Sequence, residues 1–304
     1  MQPPDGTRRD YPLARLTTIR TGGNAQLFAR PTTIAELERL MAWAADAGQE
    51  VGVVGSGSNL LVADAGVNGL VLKLDGELSL IEVEGTHILS GGGARLPAVS
   101  ARAARAGLSG LEFGVNIPGT VGGAVRMNAN AYGGDLARVL EWVDVVTPSG
   151  TGRRAPADLG FAYRRSALGP GEVVARASFA LEEADPGAVK ATLEEMRSRR
   201  KAAQPSGIKT FGSTFKNPDE PGAEGRTAGQ LLEAAGCRGL RVGGASFSEK
   251  HANFIVNHGE ATTADVIAVM AEGRRRVAEH FGIELEPEVQ TLGPVDLPPE
   301  WRRG

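Results

Sequence analysis

The chain has 304 residues, of which 41% are hydrophobic and 23% are charged, a balance typical of a soluble globular protein with one or two domains. Its 33 Lys and Arg residues stand against 36 Asp and Glu residues, which gives a formal net charge of −3. That charge argues against a nucleic-acid-binding protein, which needs a basic excess to neutralise phosphates.

Cysteine use and hydropathy exclude further classes. Cys237 is the only cysteine, so neither an intrachain disulfide framework nor a cysteine-based zinc site can form, and we interpret it as a small buried residue. No apolar run approaches the roughly 18 residues of a membrane span, and the first ten residues are polar. We therefore expect a cytoplasmic protein without a membrane partner. No metal site is predicted either, because metal-ligand spacing is absent among His87, His251, His258 and His280.

Helix and strand patterns alternate through the first two thirds of the chain. Thr33 and Glu36 have the spacing of a capping box, and the apolar stripe behind them predicts a helix that ends at Gly48. A second helix is predicted over 96–106. Short apolar runs predict strands at 51–54, 70–74, 78–83, 87–90, 139–147 and 173–181.

The last third has longer helical patterns. Asp185 and Pro186 suit the start of a helix over 187–203, because proline is favoured at the first helical position. Further helices are predicted at 227–235 and 263–281, and strands at 253–256 and 283–289. The mixture indicates an α+β protein, with a Gly-rich domain over 20–185, a smaller domain over 186–290 and a tail over 291–304.

The 42 glycines lie in tight groups, and two Gly-rich passages are of particular interest. In the first, a predicted strand runs into Gly55-Ser56-Gly57-Ser58-Asn59, whose backbone N–H groups suit a pyrophosphate. This is not the Rossmann fingerprint, because the third glycine and the following helix with its acidic residue are missing. An isolated Gly-x-Gly is more often a plain tight turn.

The second passage, residues 117–134, is more specific. Five glycines, a proline and several hydroxyl or amide groups lie in a largely apolar run. Local turn chemistry does not require so many small residues, whereas a flat ligand against the backbone does.

Together the two passages resemble the FAD-binding domain of the vanillyl-alcohol-oxidase type, also called PCMH-type, and specifically that of the UDP-N-acetylenolpyruvoylglucosamine reductases. The segment 17–25 is similar to that family's entry motif, and the resemblance extends from about residue 17 to residue 290. It implies an α+β substrate-binding domain after the flavin domain. The FAD-lining residues that it implies are Gly55, Ser56, Gly57, Ser58, Asn59, Gly119, Thr120, Gly122, Gly123 and Asn128.

Two residues depart from the family pattern. Asn116 and Asn130 stand where the family usually has glycine. Because asparagine is the non-glycine residue that best tolerates a left-handed backbone, we expect both at positive φ.

The Tyr163-Arg164-Arg165-Ser166 segment resembles the family's Tyr-Arg-x-Ser motif, which implies a catalytic role for Arg164. A guanidinium binds a carboxylate through two parallel hydrogen bonds, and an enolpyruvyl group carries such a carboxylate. Without the motif, a solvated surface arginine would be the better interpretation, and we keep it for Arg165.

The Gly212–Pro218 segment resembles the family's Gly-Ser-x-Phe-Lys-Asn-Pro motif. The resemblance implies that Ser213 is the proton donor and that Asn217, with Lys216 as a weaker candidate, binds the substrate. A hydroxyl is a weak acid, but the enolate that follows hydride transfer is a strong base. Outside such a motif, a Ser-Thr pair is usually a turn.

The segment 285–289 resembles the family's terminal Leu-Glu-Pro-Glu-Val motif, which implies a catalytic role for Glu288. In a strand, Glu286 and Glu288 share one face, so periodicity cannot choose between them. An isolated glutamate at this position would be expected in solvent.

The resemblance implies a reaction in two halves: NADPH reduces FAD, and an enolpyruvyl sugar nucleotide then takes a hydride at C3 and a proton at C2. Arg164, Ser213 and Glu288 must then converge on one substrate. The stretch between Arg164 and Ser213 is short, as in the family branch that lacks a Tyr-bearing loop. Candidates for the diphosphate contact are Tyr132, Arg200, Lys201 and Lys216.

Two alternatives stay open. An oxidase of alcohols or 2-hydroxy acids would keep the Gly-rich passages but would not need the Ser213 motif. A catalytically idle flavin-binding or sugar-nucleotide-binding module would need none of the three catalytic side chains.

Overall fold

The computed structural model describes residues 1–205, 207–298 and 301. It divides into two compact units. The first comprises Met1–Asp10, Gln26–Ser56 and Asn68–Arg200, and the second comprises Tyr11–Ala25, Gly57–Val67 and the described residues from Lys201 onward. Neither unit is a continuous stretch of chain. None of the helices in the described ranges is both long and apolar enough to cross a bilayer.

Six α-helices are described: α1 Ile34–Asp46, α2 Leu96–Arg105, α3 Val121–Arg126, α4 Pro186–Ala203, α5 Ala228–Ala234 and α6 Thr263–Phe281. The strands are β1 Arg8–Pro12, β2 Asn24–Ala29, β3 Val51–Val53, β4 Leu60–Val62, β5 Val67–Leu72, β6 Ile81–Glu84, β7 His87–Gly91, β8 Leu108–Ser109, β9 Asn130–Ala131, β10 Gly134–Asp135, β11 Leu140–Thr147, β12 Gly150–Arg154, β13 Val173–Ala180, β14 Glu182–Glu183, β15 Arg241–Val242, β16 Ala245–Phe247, β17 Ile255–Asn257 and β18 Gln290–Leu292.

The first unit is built on two sheets. One has the order β12-β11-β13-β7-β6 and is antiparallel throughout. The other has the order β1-β2-β5-β3, lies mainly in this unit, and pairs β3 with β5 in parallel. Helix α1 buries Leu37, Leu40, Met41 and Ala44 against apolar residues of both sheets. Strand β3 is the edge strand of this sheet, and its pairing with β5 fixes where the following loop begins.

The second unit has its own core. Strands β15, β16 and β17 form an antiparallel sheet, and β18 pairs with β4 in parallel. Helices α5 and α6 cover this core with Leu231, Leu232, Val266 and Met270, all fully buried. Cys237 belongs to the same core, and its burial raises the pKa of the thiol to about 11. The interpretation of Cys237 as a small buried residue is confirmed.

Local signals placed most helices correctly. Thr33 caps α1, because its side chain accepts a hydrogen bond from the backbone N–H of Glu36 at 3.2 Å. The Glu36 carboxylate accepts hydrogen bonds from the backbone N–H and the hydroxyl of Thr32, at 2.7 and 2.8 Å, rather than from the N–H of Thr33. These bonds hold the pKa of Glu36 below its ordinary value. Helix α6 has the predicted limits, and α4 begins at Pro186 as the proline rule requires.

Two predicted strands are wrong in part. Residues 76–79 form a 3₁₀ turn capped by Asp75, so the strand predicted at 78–83 begins only at Ile81. The strand predicted at 283–289 is absent, apart from one bridge between Pro287 and Phe215. Ile283 and Leu285 are buried between exposed glutamates, which imitates strand alternation. Pro287 has no backbone N–H to donate to a neighbouring strand, and regular strand pairing starts only at Gln290.

Candidate active site

A cleft in the first unit has five glycines among its fourteen lining residues. It encloses about 590 Å³ of empty space when the open solvent at its mouth is included. Strand β3 ends there, and α3 begins there with Thr120 as its N-cap. Its lining comprises Val53, Val54, Gly55, Lys73, Leu74, Gly92, Gly93, Thr120, Gly122, Gly123, Arg126, Glu172, Val173 and Val174.

The glycines of this region fall into two groups. A Cβ on Gly55 would collide with the Thr120 hydroxyl, and one on Gly92 would collide with the Val174 carbonyl, so packing demands glycine at both positions. A Cβ on Gly119 or Gly123 would have its nearest described neighbour at 3.8 or 3.6 Å, and neither has a positive φ. Protein packing therefore does not explain the bare backbone at Gly119 and Gly123, whereas a ligand lying against it does.

The sequence did not single out two charged residues that line this cleft, Lys73 and Arg126. Lys73 donates to the Gly55 carbonyl at 2.5 Å, and burial, followed by the nearby Arg30, lowers the pKa of its ammonium. Arg126 donates to three carbonyls, those of Leu168, Gly169 and Glu172, at 3.1, 3.2 and 2.9 Å. A lysine inside the apolar run 70–74 was the signal available for Lys73.

The Gly55–Asn59 loop has parts in both units. In the first, Ser56 donates its hydroxyl to the Pro118 carbonyl at 2.5 Å, which ties this loop to the one before Gly119. In the second, Gly57 has φ +65, and its carbonyl accepts from the backbone and side chain of Thr18 at 3.0 and 3.1 Å. Asn59 donates to the Glu288 carbonyl at 3.2 Å, so it holds the backbone at that residue.

The expectation that Asn116 and Asn130 lie at positive φ is wrong. Asn116 ends a 3₁₀ helix and Asn130 lies in β9. The left-handed positions fall instead on Tyr132 and Gly133, φ +52 and +82, which join β9 to β10 as the two central residues of a hairpin. A type I′ hairpin turn needs positive φ at both, and this leaves Asn130 in extended backbone.

Asn128 lies just before this hairpin and is 9% exposed. Its φ is +39, and its amide nitrogen donates to the Ala162 carbonyl at 3.3 Å. The amide oxygen is buried and has no hydrogen-bond partner among the described residues. Leaving such an acceptor unsatisfied costs about 1–3 kcal/mol, which a ligand donor would remove.

Arg164 occupies a strained turn. Ala162 and Arg165 exchange backbone hydrogen bonds of 3.0 and 3.2 Å, and Arg164 lies between them at φ +57. Glycine or asparagine normally supplies that conformation, so arginine there is an outlier of the kind that clusters at functional sites. Its Nη1 donates to Oδ1 and O of Asn130 at 3.1 and 3.3 Å. Arg165 is exposed, as expected.

In the second unit, Ser213 and Glu288 lie on neighbouring segments. The Thr214 carbonyl accepts from the Glu288 N–H at 2.8 Å, and the Lys216 N–H donates to the Glu286 carbonyl at 2.9 Å. Asn253, missed in the sequence analysis, clamps the Phe215 backbone with bonds of 2.9 and 2.8 Å.

Glu286 and Glu288 differ in their exposure to solvent. Glu286 is exposed and pairs with Lys216 at 3.1 Å, whereas Glu288 is half-buried. The Asn217 side chain accepts a hydrogen bond from the Ala228 N–H at 3.1 Å, at the start of α5.

Within the described ranges, no three His, Cys, Asp or Glu side chains cluster as a metal site requires.

Tyr132 and Arg200, two candidates for the diphosphate contact, meet at Asn116 in the first unit. The Asn116 amide donates to the Tyr132 hydroxyl at 3.3 Å and to the Met196 carbonyl at 2.7 Å, and the Asn116 carbonyl accepts from the Arg200 guanidinium. Burial lowers the pKa of Arg200. Asn116 therefore links α4 to the β9–β10 hairpin through its side chain.

Comparison with known proteins gives two family matches. Residues 204–292 match the C-terminal domain of UDP-N-acetylenolpyruvoylglucosamine reductase, and residues 25–155 match an FAD binding domain. UDP-N-acetylenolpyruvoylglucosamine reductase 2 of Symbiobacterium thermophilum is 45% identical over 292 residues, covering 95% of this chain and 93% of the relative. The reductase of Anaeromyxobacter dehalogenans is 45% identical over 285 residues, covering 94% and 85%.

A solved structure agrees with these matches. The UDP-N-acetylenolpyruvylglucosamine reductase of Thermus caldophilus superposes with a TM-score of 0.81 and 39% sequence identity, covering 94% of this chain and 99% of that one. The expected fold class, an FAD-binding domain combined with further α+β structure, is confirmed. The chain belongs to the UDP-N-acetylenolpyruvoylglucosamine reductase family.

Proposed function

We propose that this protein is an FAD-dependent, NADPH-dependent oxidoreductase that converts UDP-N-acetylenolpyruvoylglucosamine to UDP-N-acetylmuramate for peptidoglycan synthesis. It acts in the cytoplasm on small molecules, without a nucleic-acid or membrane partner. Whole-chain identity of 45% to a reductase of this name supports the reaction. The structural observation that carries the proposal is Arg164, a cation held at φ +57 in a turn where glycine or asparagine would be expected.

The residues of the first-unit cleft fit FAD. Bare backbone at Gly119 and Gly123 leaves room for a flat or extended ligand, and Lys73 supplies positive charge beside Gly55. The buried Asn128 oxygen offers an acceptor to a ring N–H. Bound there, FAD would supply the hydride chemistry that links NADPH to C3 of the enolpyruvyl group. The proposed cofactor residues are Gly55, Ser56, Gly57, Ser58, Asn59, Gly119, Thr120, Gly122, Gly123 and Asn128.

Arg164 binds the substrate carboxylate in this proposal. A guanidinium–carboxylate pair fixes both the position and the plane of the group that it holds. That plane contains the double bond to be reduced, because the carboxylate is conjugated to it. The same cation stabilises the negative charge that develops when hydride reaches C3.

Ser213 and Glu288 complete the addition. Ser213 donates the proton to C2, and its high pKa is adequate because the enolate that it quenches is a strong base. Glu288 lies on the neighbouring segment, where the bond of its N–H to the Thr214 carbonyl keeps its backbone beside the segment that carries Ser213. It polarises the enolpyruvyl group. Tyr132, Lys216 and Asn217 are the proposed contacts to the sugar nucleotide.

The domain limits remain part of the proposal. We assign cofactor binding to residues 20–185 and substrate binding to residues 186–290, with a tail over 291–304. The match of 25–155 to an FAD binding domain and of 204–292 to the reductase C-terminal domain supports that division.

Anaerobic stopped-flow spectroscopy tests the proposal. We expect NADPH to bleach the flavin absorbance of the holoenzyme, and UDP-N-acetylenolpyruvoylglucosamine to restore it. Recovery on admission of O₂ but not on addition of the enolpyruvyl substrate would favour an oxidase. A flavin that NADPH does not bleach would favour an idle binding module.

A further inference from the structure

The conformation of Asn130 does not account for the presence of an asparagine there. It lies in β9 and has no positive φ, so the backbone requires neither glycine nor asparagine there. Its half-buried side chain is directed to one partner in particular, the Arg164 guanidinium.

The contact is suited to orienting a cation without neutralising it. Arg164 Nη1 donates to Asn130 Oδ1 at 3.1 Å and to the Asn130 carbonyl at 3.3 Å. One donor atom, Nη1, makes both bonds, so they fix the same end of the guanidinium. Because an amide oxygen carries no net charge, this bond orients the guanidinium without neutralising it. A carboxylate in the same place would compete with that anion.

The turn that carries Arg164 is anchored independently of the Asn130 side chain. Asn128 donates its amide to the Ala162 carbonyl at 3.3 Å, and Ser166 donates its hydroxyl to the Arg126 carbonyl at 2.9 Å. Ala162 and Arg165 close the turn themselves. Removing the Asn130 side chain should therefore leave the turn in place and take from the guanidinium only its bond to Oδ1, since the bond to the Asn130 carbonyl remains.

We propose that Asn130 is a positioning residue that holds the Arg164 guanidinium ready for the substrate carboxylate. This rests on the proposed function, since it presumes that Arg164 binds that carboxylate. Substrate recognition depends on Asn130, whereas flavin reduction by NADPH does not.

The test compares Asn130→Ala, Asn130→Gly and Asn130→Asp as holoenzymes. For Ala and Gly, we expect the KM for the enolpyruvyl substrate to rise about tenfold, as for loss of one hydrogen bond to a charged group. The rate of flavin reduction by NADPH should stay within twofold of wild type. The control is Asn68→Ala, which removes an exposed asparagine from β5 of the same unit and should leave both half-reactions unchanged.

The Asp variant separates positioning from shape. Aspartate is nearly isosteric with asparagine, so a merely structural role makes Asn130→Asp the mildest change. In the positioning role it is the most severe, because the new carboxylate pairs with Arg164 and competes with the substrate.

A KM within twofold of wild type in the Ala and Gly variants, or an Asp variant milder than both, would overturn the inference. An equal loss in the NADPH half-reaction would do the same. If wild-type flavin is not reoxidised by the enolpyruvyl substrate, the proposed function fails instead, so the two failures are distinguishable.

Discussion

Replacing Gly123 with alanine should have opposite effects on the apoprotein and on FAD binding. Gly123 is the third residue of α3, and a Cβ there would meet only the Thr120 hydroxyl, at an ordinary contact distance of 3.6 Å. Alanine in a helix is more favourable than glycine by about 0.5–1 kcal/mol. For a protein of this size, we expect the melting temperature of the apoprotein to rise by about 1–4 °C.

The same methyl group would occupy space that we assign to FAD. Forcing one extra methyl into a packed contact costs about 1–3 kcal/mol, which corresponds to FAD binding weaker by about 5–150-fold. The assay is thermal unfolding of the deflavinated protein, followed by titration with FAD monitored by quenching of flavin fluorescence.

Gly55→Ala is the matched contrast. Its Cβ would collide with the hydroxyl of Thr120, which is only 7% exposed, so this variant should destabilise the apoprotein itself. The reasoning is refuted if Gly123→Ala binds FAD as tightly as wild type, because the cofactor would then not lie against that backbone. A Gly123→Ala apoprotein less stable than wild type would refute the packing argument.

Three further predictions concern catalysis and pH. Arg164→Lys, which loses the fork geometry, should slow flavin reoxidation by the enolpyruvyl substrate about 100-fold and leave reduction by NADPH unchanged in stopped-flow traces. Ser213→Ala should slow the same step by about 10²–10⁴-fold, and a wild-type rate would remove its assigned role. Arg275 and Arg276 lower the pKa of Glu272 to about 2, so stability that is present above pH ~4.5 should be lost as the pH falls toward 2. Glu272→Gln should lack that part of the acid transition in denaturant melts, and an unchanged profile would contradict it.

Elements fixed by local chemistry were predictable from the sequence. The Thr33 cap with its apolar stripe and the start of α4 at Pro186 both depend on residues within a few positions of each other. Motif resemblance likewise identified the reductase family. These signals are contained in short stretches, so one sequence is enough to find them.

Features set by long-range contacts were not predictable in this way. Segment 283–289 alternates like a strand, but its pairing is limited to one bridge at Pro287 with the distant Phe215. The tolerance of Asn130 for positive φ is a property of the residue, whereas the hairpin places that conformation on Tyr132 and Gly133. Lys73 reaches the Gly55 carbonyl, and Asn130 the Arg164 guanidinium, across many residues. No periodic pattern records such contacts.

Product stoichiometry in an anaerobic single turnover tests the central claim most directly. Enzyme whose flavin has been reduced with one equivalent of NADPH is mixed with UDP-N-acetylenolpyruvoylglucosamine, and flavin absorbance and nucleotide products are measured together. We predict one UDP-N-acetylmuramate for each flavin that regains its oxidised spectrum. Flavin that stays reduced until oxygen is admitted, with the enolpyruvyl nucleotide recovered intact, would contradict the account.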